Sequence, residues 1–503
     1  MQKDTVGVLC AQESMSRKVV HGGLLLLLLR ITGHLFRLLC IIVLARLLSP
    51  QDFGFFGIVM LVFYFLETFS KLGFNEALIQ KKNDIAPYLN STWTIQIIKC
   101  LFFAALLLIF APMIAGFFRV KEAAPLIRVL SLSVFLRGIA NIGIIYFYKE
   151  LEFYKQFLFE FVKTSAYLLT AIVLAFFFRN VWALVIGFLA GDLAGLILSY
   201  TLHSYRPKFR FDPKKSKELI KFGKWIFASG ILAYLLTQMD NIFIGKMLAI
   251  SMLGFYQIAY RISDISNAEI NNIISYVAFP AYSKIQDDIV RLKSVYITIL
   301  YTTVFLSFPI AALIFVLAGD FTMIFLGKNW MAIVPVMRVL VFYSVMASII
   351  SSMTPVFCSI GKPKVVARLQ AAQVILLLIF IYPLTRFYGI AGTAAAVVSA
   401  SAAMFFIRTG ILIKAIGSYK WQFYKPIVAA FLTAFLSAAF VFLIKFMLIK
   451  HASVYTVILQ GVLFCIIFVI FSCVADMFLG NKLLFITREV FNSIKRREYH
   501  KTE

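Results

Sequence analysis

Residues 45–58 read ARLLSPQDFGFFGI, and residues 245–258 read GKMLAISMLGFYQI. The two stretches share a register, pairing Arg46 with Lys246, Leu48 with Leu248, Gly54 with Gly254, Phe55 with Phe255 and Phe56 with Tyr256. A second echo follows in the same order at nearly the same separation, PLIRVL at 125–130 against PVMRVL at 335–340. Either match alone is compatible with chance. Two in the same order argue that one segment was built twice, and parallel internal repeats are typical of transporters whose halves rock around a site at their interface.

The 503 residues are 62% hydrophobic and only 14% charged. Runs of some 20 nearly uncharged residues recur between residues 22 and 476, about fourteen in all. A soluble domain does not carry such an apolar load, so the expected fold is an all-α polytopic membrane protein of about 14 transmembrane helices. Two parallel six-helix lobes and a C-terminal helix pair accommodate both the repeat and the count. The expected divisions are a cytoplasmic N-terminal segment at 1–21, an N-lobe at 22–203, a basic linker at 204–221, a C-lobe at 222–416, a terminal pair at 417–476 and a tail at 477–503. The run GGLLLLLL at 22–29 follows Arg17 and Lys18 but lacks a small-residue cleavage site, so it reads as a retained first helix rather than a signal peptide, with Met15 an alternative start.

The formal charge of +26 points to nucleic acid in a soluble protein. Here its placement points elsewhere. With the N-terminus set inside, the inward loops and tails hold about 30 Lys and Arg, against seven in the outward loops. That bias places both termini in the cytoplasm and absorbs most of the charge, which argues against nucleic-acid binding. Much of it lies in the linker, from Arg206 through Lys208, Arg210, Lys214, Lys215 and Lys217, which serves topology or touches anionic lipid or a cytoplasmic enzyme. The six cysteines have no CxxC or Cys/His spacing, so no disulfide framework, metal site or cofactor is expected.

Ionisable groups within the apolar spans are functional candidates by default. Arg30, His34 and Arg37 fall at i, i+4 and i+7 on one narrow helical stripe. Lys99 and Arg137 lie mid-span in the same lobe. Glu67/Lys71 and Glu160/Lys163 have the spacing to neutralise each other, which leaves the cations facing Asp192 alone. The stripe either pairs with acids on neighbouring helices or lines a net-positive cavity. A net-positive cavity suits phosphate or pyrophosphate, which Arg grips bidentately, and disfavours organic cations. In the second lobe Asp240 has no local partner, whereas Arg261 and Asp264 have intrahelical spacing. Asp240 and Asp192 are the candidates to carry a coupling Na+ or H+, and each has the alternative of a structural ion pair.

The strings LARLLSPQDFGFFGI, ETFSKLGFNEALIQKK, MDNIFIGKMLAISMLGFYQIAYRISD and YGIAGTAAAVVSA resemble Wzx-type (WzxC-like) lipopolysaccharide and polysaccharide exporters, a branch of the MOP flippase superfamily. The similarity runs in order over essentially the whole chain. It implies a V-shaped central cavity, alternating access and ion-coupled movement of an undecaprenyl-pyrophosphate-linked oligosaccharide across the bacterial inner membrane. It also implies a cationic cavity that maps onto Arg30 and Arg37, less directly onto Arg261, and work beside a polysaccharide polymerase and chain-length machinery. No catalytic motif accompanies these strings, and Asp287-Asp288 is assigned to solvent. Competing readings are another branch of the superfamily, flipping peptidoglycan precursor or exporting drugs, and a membrane glycan polymerase or ligase. The last needs a large periplasmic loop, and the outward loops here reach only about a dozen residues.

Overall fold

The computed structural model describes residues 32–33, 35–70, 74, 78, 85–150, 152–268, 282, 285–417, 419–448 and 453–479. Arg30, His34, Glu269 and Pro280 lie outside them. The described chain divides into two compact units, Met1–Tyr234 and Leu235–Glu503.

The first unit opens with α1 (35–47) and turns sharply into α2 (Pro50–Ser70). The corner is a reciprocal cap. The Ser49 amide donates to Asp52 Oδ2 at 2.9 Å, and the Asp52 amide returns to Ser49 Oγ at 3.3 Å. Pro50 stands at the first helical position, where its missing N–H costs nothing. Thus SPQD is a helix start written in local chemistry. Then come α3 (Ala86–Phe117), α4 (Ala123–Ile139), the short α5 (Ile145–Lys149), α6 (Phe153–Phe178) and α7 (Trp182–Thr201). The chain bends by 66° where α4 gives way to the 142–149 segment. Asn141 makes that break, its Oδ1 accepting from the Gly143 amide at 2.9 Å.

The unit boundary falls inside α8 (Pro213–Met247). The second unit continues with α9 (Ile250–Ser263), α10 (Ile289–Phe321), α11 (Ile333–Ser359), α12 (Pro363–Ile416), α13 (Lys420–Leu448) and α14 (Val454–Leu479). Asp288 caps α10 by accepting from the Arg291 amide at 2.9 Å, a structural use of the acidic pair. α12 is two helices joined at Gly389, whose φ of +59° belongs to the left-handed region. A Cβ at Gly392 would meet the Leu384 carbonyl oxygen at 1.9 Å, so the second glycine of YGIAG lets the hairpin close.

Nine helices among the described residues are long and apolar enough to cross a membrane, ten with the bent α4 pair, and α12 counts there as one. The chain is a multi-pass membrane protein. The repeat is visible in burial as well as sequence. Ala123, Leu126, Ile127 and Leu130 are buried while Arg128 is exposed, and Ile333, Val336, Met337, Leu340 and Arg338 reproduce that pattern.

Candidate functional site

In the first unit the chemistry gathers on Asp192, near the middle of α7 and 4% exposed. Gly187, Gly191 and Gly195 line one face of α7 at four-residue spacing. A Cβ on Gly187 would come within 2.8 Å of Ala171 Cβ, and one on Gly191 within 3.0 Å of the Lys163 carbonyl. Only glycine lets α6 approach this closely, the small-xxx-small logic of helices in lipid. That approach delivers Lys163, whose Nζ lies 3.1 Å from Asp192 Oδ1.

Arg137 arrives from the last turn of α4. Its Nε donates to both Asp192 oxygens, at 2.9 and 3.0 Å, and Ser133 one turn earlier donates its hydroxyl to Oδ2. The guanidinium lies over the Phe63 ring, 4.4 Å from its centroid, with Phe188 beside it at 5.4 Å. α3 braces this turn. Gln96 Nε2 donates to the Arg137 carbonyl at 2.9 Å, satisfying one of the acceptors a helix end leaves open, and Cys100 packs against Gly138. Lys99, half-buried, is the neighbour of Cys100 on α3.

One buried carboxylate is therefore shared by two cations, and the cluster carries a net positive charge. The Arg137 side chain is 31% exposed, and its terminal amino groups hold no hydrogen bond among the described residues. Donors of that kind, beside aromatic rings and a second cation, are suited to an anionic oxygen.

The second unit is built differently. Asp240 on α8 is 3% exposed, and its Oδ2 accepts from the Tyr256 hydroxyl at 2.7 Å. Its Oδ1 accepts from the Asn241 backbone amide at 2.8 Å and from Asn241 Nδ2 at 3.2 Å. No cation pairs with it among the described residues. Asn241 Oδ1 is buried there without a hydrogen-bond partner. The Tyr260 hydroxyl donates to that of Tyr343 at 3.1 Å, and Asp264 accepts from Asn267 Nδ2 at 2.9 Å.

Of the sequence-derived residues, Arg137 and Asp192 meet in the first unit, and Lys99 lies on α3 of the same unit. Arg37 is exposed on α1, which the Phe36–Phe161 contact (5.8 Å) sets beside the α6 turn preceding Lys163. Arg261 is exposed in the last turn of α9, in the other unit, and Arg30 and His34 lie outside the described residues. Two expected pairings are corrected. Lys163 is bound to Asp192 rather than to Glu160, which is exposed, because the glycine face draws Lys163 toward α7. Asp264 takes Asn267 as its partner rather than Arg261. Sequence reasoning gave Lys163 and Tyr256 other roles, as partner of Glu160 and as a repeat position, and passed over Ser133. The GxxxGxxxG run at 187–195 was the signal for the first of these, since it marks where a neighbouring helix comes close.

A family model described as "Polysaccharide biosynthesis protein" matches residues 43–335. The chain is similar to the lipopolysaccharide biosynthesis protein WzxC of Escherichia coli K12, 25% identical over 61% of this chain and 63% of that protein, so the match spans under two thirds of WzxC. It is also similar to the succinoglycan biosynthesis transport protein ExoT of Rhizobium meliloti, 24% identical over 64% of this chain and 65% of that protein. Among solved structures, the lipid II flippase MurJ in an inward closed conformation superposes with a TM-score of 0.73, covering 91% of this chain and all of MurJ at 16% identity. At that identity the match concerns the fold alone, and the fold is that of the MOP flippases.

Proposed function

We propose that this chain, which belongs to the polysaccharide biosynthesis protein family, is a flippase for an undecaprenyl-pyrophosphate-linked oligosaccharide in the bacterial inner membrane. The observation that carries the reading is the Arg137–Asp192–Lys163 cluster, net positive and partly open, with uncommitted guanidinium donors between apolar helices. Asp192 aims Arg137 and keeps it from collapsing onto lipid, and the free amino groups take a pyrophosphate oxygen. Arg37 and Lys99 extend the positive field within the first unit, and Arg30, His34 and Arg261 stand as further candidate phosphate ligands from the sequence. A membrane-embedded cluster of this sign holds a polyanionic headgroup and repels an organic cation. The likeness to ExoT, a transport protein, and to MurJ, a flippase, supports a transporter rather than an enzyme.

Asp240 is the proposed carrier of the coupling Na+ or H+. It is a buried carboxylate met by a hydroxyl and an amide but by no described cation, so a cation or proton supplies its counter-charge. Both termini are proposed to be cytoplasmic, and a polysaccharide polymerase and chain-length machinery take up the product.

The test is accumulation of lipid-linked repeat units in cells carrying the chain beside its own glycan pathway. Arg137→Ala should lower polymer export at least tenfold and leave undecaprenyl-linked units on the cytoplasmic side, with Lys163 still neutralising Asp192. Arg137→Lys should recover part of the activity, because a point charge does not reproduce the fork. Wild-type export by the Arg137→Ala, Lys163→Ala double variant, inserted at normal levels, would remove the anion site from the mechanism.

A further inference from the structure

The segment 203–212, HSYRPKFRFD, joins α7 to α8 without helical structure, yet it is held along its length. His203 stacks on Tyr146, ring centroids 5.3 Å apart and 2° from parallel, and its Nδ1 accepts from the Tyr205 amide at 3.0 Å. Burial, then the charge of nearby Lys155, pushes this imidazole below its ordinary pKa, so it is neutral at pH 7 and keeps accepting. Asn141 Nδ2 donates to the Tyr205 carbonyl at 2.6 Å.

The first turns of α3 bind the rest. Asn90 Oδ1 accepts from the Tyr205 hydroxyl and the Lys208 amide, both at 2.8 Å. Thr94 Oγ1 accepts from the Arg210 amide at 3.1 Å, and Ser91 Oγ accepts from the Asp212 amide at 3.0 Å. The polar run Asn90-Ser91-Thr92-Trp93-Thr94 at the head of an apolar helix thus has a purpose: it receives this strap.

What the strap presents outward is a pattern rather than a charge count. Arg206, Lys208 and Arg210 are exposed, and among them Phe209 is 72% and Phe211 56% exposed. Phe209 keeps one edge on Trp93 at 4.9 Å. Lys208 and Arg210 have no ionic partner among the described residues. The strap lies on the first residues of α3 and beyond the last of α7, at the end of the membrane spans. An exposed phenylalanine is at home at that boundary, and cations beside it meet lipid phosphates.

We infer that the 203–212 strap is a pre-organised binding site for anionic phospholipid headgroups. Its basic side chains hold the phosphates, and Phe209 and Phe211 enter the acyl boundary beneath them. A linker serving topology alone needs the charges but neither the exposed phenylalanines nor the backbone pinned to α3. The inference adds to the flippase reading and does not depend on it.

Full-length protein in nanodiscs of phosphatidylcholine containing phosphatidylglycerol tests it, with retained phosphatidylglycerol counted by native mass spectrometry. Arg206→Gln, Lys208→Gln, Arg210→Gln together should cut retention at least fivefold, whereas Lys495→Gln, Arg496→Gln, Arg497→Gln, an equal loss of charge in the tail, should not. Asn90→Ala keeps every charge and frees the backbone, and its retention should fall between wild type and the strap variant. Phe211→Ser should also lower retention without touching charge or anchoring. Equal loss from strap and tail variants, or wild-type retention with Asn90→Ala and Phe211→Ser, would overturn the inference. Because the nanodiscs carry the anionic lipid in both leaflets, the outcome is independent of orientation. Orientation is read separately, by labelling Gln51→Cys and Ser204→Cys from outside the cell with an impermeant thiol reagent.

Discussion

The two units share a chain path but not a charge plan. A shift of 200 residues carries Asp240 onto Cys40 and Tyr256 onto Phe56, so the buried acid–hydroxyl pair of the second unit corresponds to a buried thiol and an aromatic ring in the first. Phe56 spends its ring on Tyr167 and Phe188, 6.4 and 6.3 Å away. The reverse holds farther along. A shift of about 210 carries Lys163 and Asp192 close to Gln373 and Ser401, which share a hydrogen bond of 3.4 Å rather than an ion pair, while the buried Arg408 donates to the same Gln373 at 3.0 Å. A duplicated scaffold supplies two equivalent frames. The ionisable groups stand at non-equivalent points in each, which is what the proposed division into an anion site and a cation or proton site requires.

The sharpest way to break this comparison is at Asp240. Asp240→Asn should abolish gradient-driven transport in proteoliposomes while thermal stability stays near that of wild type, since an amide still accepts from Tyr256. Tyr256→Phe should be milder, removing one hydrogen bond worth about 1–2 kcal/mol and weakening transport roughly five- to thirtyfold. Normal gradient-driven transport by Asp240→Asn would exclude the acid from coupling.

Asp192 should fail differently. Asp192→Asn leaves Arg137 and Lys163 facing each other without a counter-charge, so expression and melting temperature should fall. The cost should stay below the roughly 3–5 kcal/mol of a fully buried broken pair, because both cations are partly exposed. If Asp192→Asn melted like wild type and lost only coupling, the two acids would have exchanged the roles assigned here.

The smallest effect separates the two corners. Ser49→Ala removes a side-chain cap and should cost about 1 kcal/mol. Ser251→Ala should stay within about 0.5 kcal/mol, because the second corner starts at Ala249 with no side-chain cap. Chemical denaturation in detergent micelles is sensitive enough to tell these apart.

Much of this was legible in the residues themselves. Apolar run length, the duplicated corner and the YGIAG hairpin are local or periodic signals, and lipid enforces them by requiring every spanning backbone to satisfy itself. The charges were legible as unusual but not as partners. Helical spacing offered Lys163 to Glu160 and Arg261 to Asp264, the structure made neither pair, and in each case a residue from elsewhere in the fold or a nearby amide took the place. The strap shows the same division. Its basic run was visible as topology, but Asn90, Ser91 and Thr94 are more than 100 residues away, and nothing in the linker names them.

By itself, then, the sequence determined a twice-built helical membrane protein with cations embedded in its first half and an isolated acid in its second. Tertiary structure alone decided which cation meets which acid. Ion pairs and hydrogen bonds depend on a few ångströms between side chains of different helices, and those distances follow from glycine-mediated packing and helix breaks acting over the whole unit.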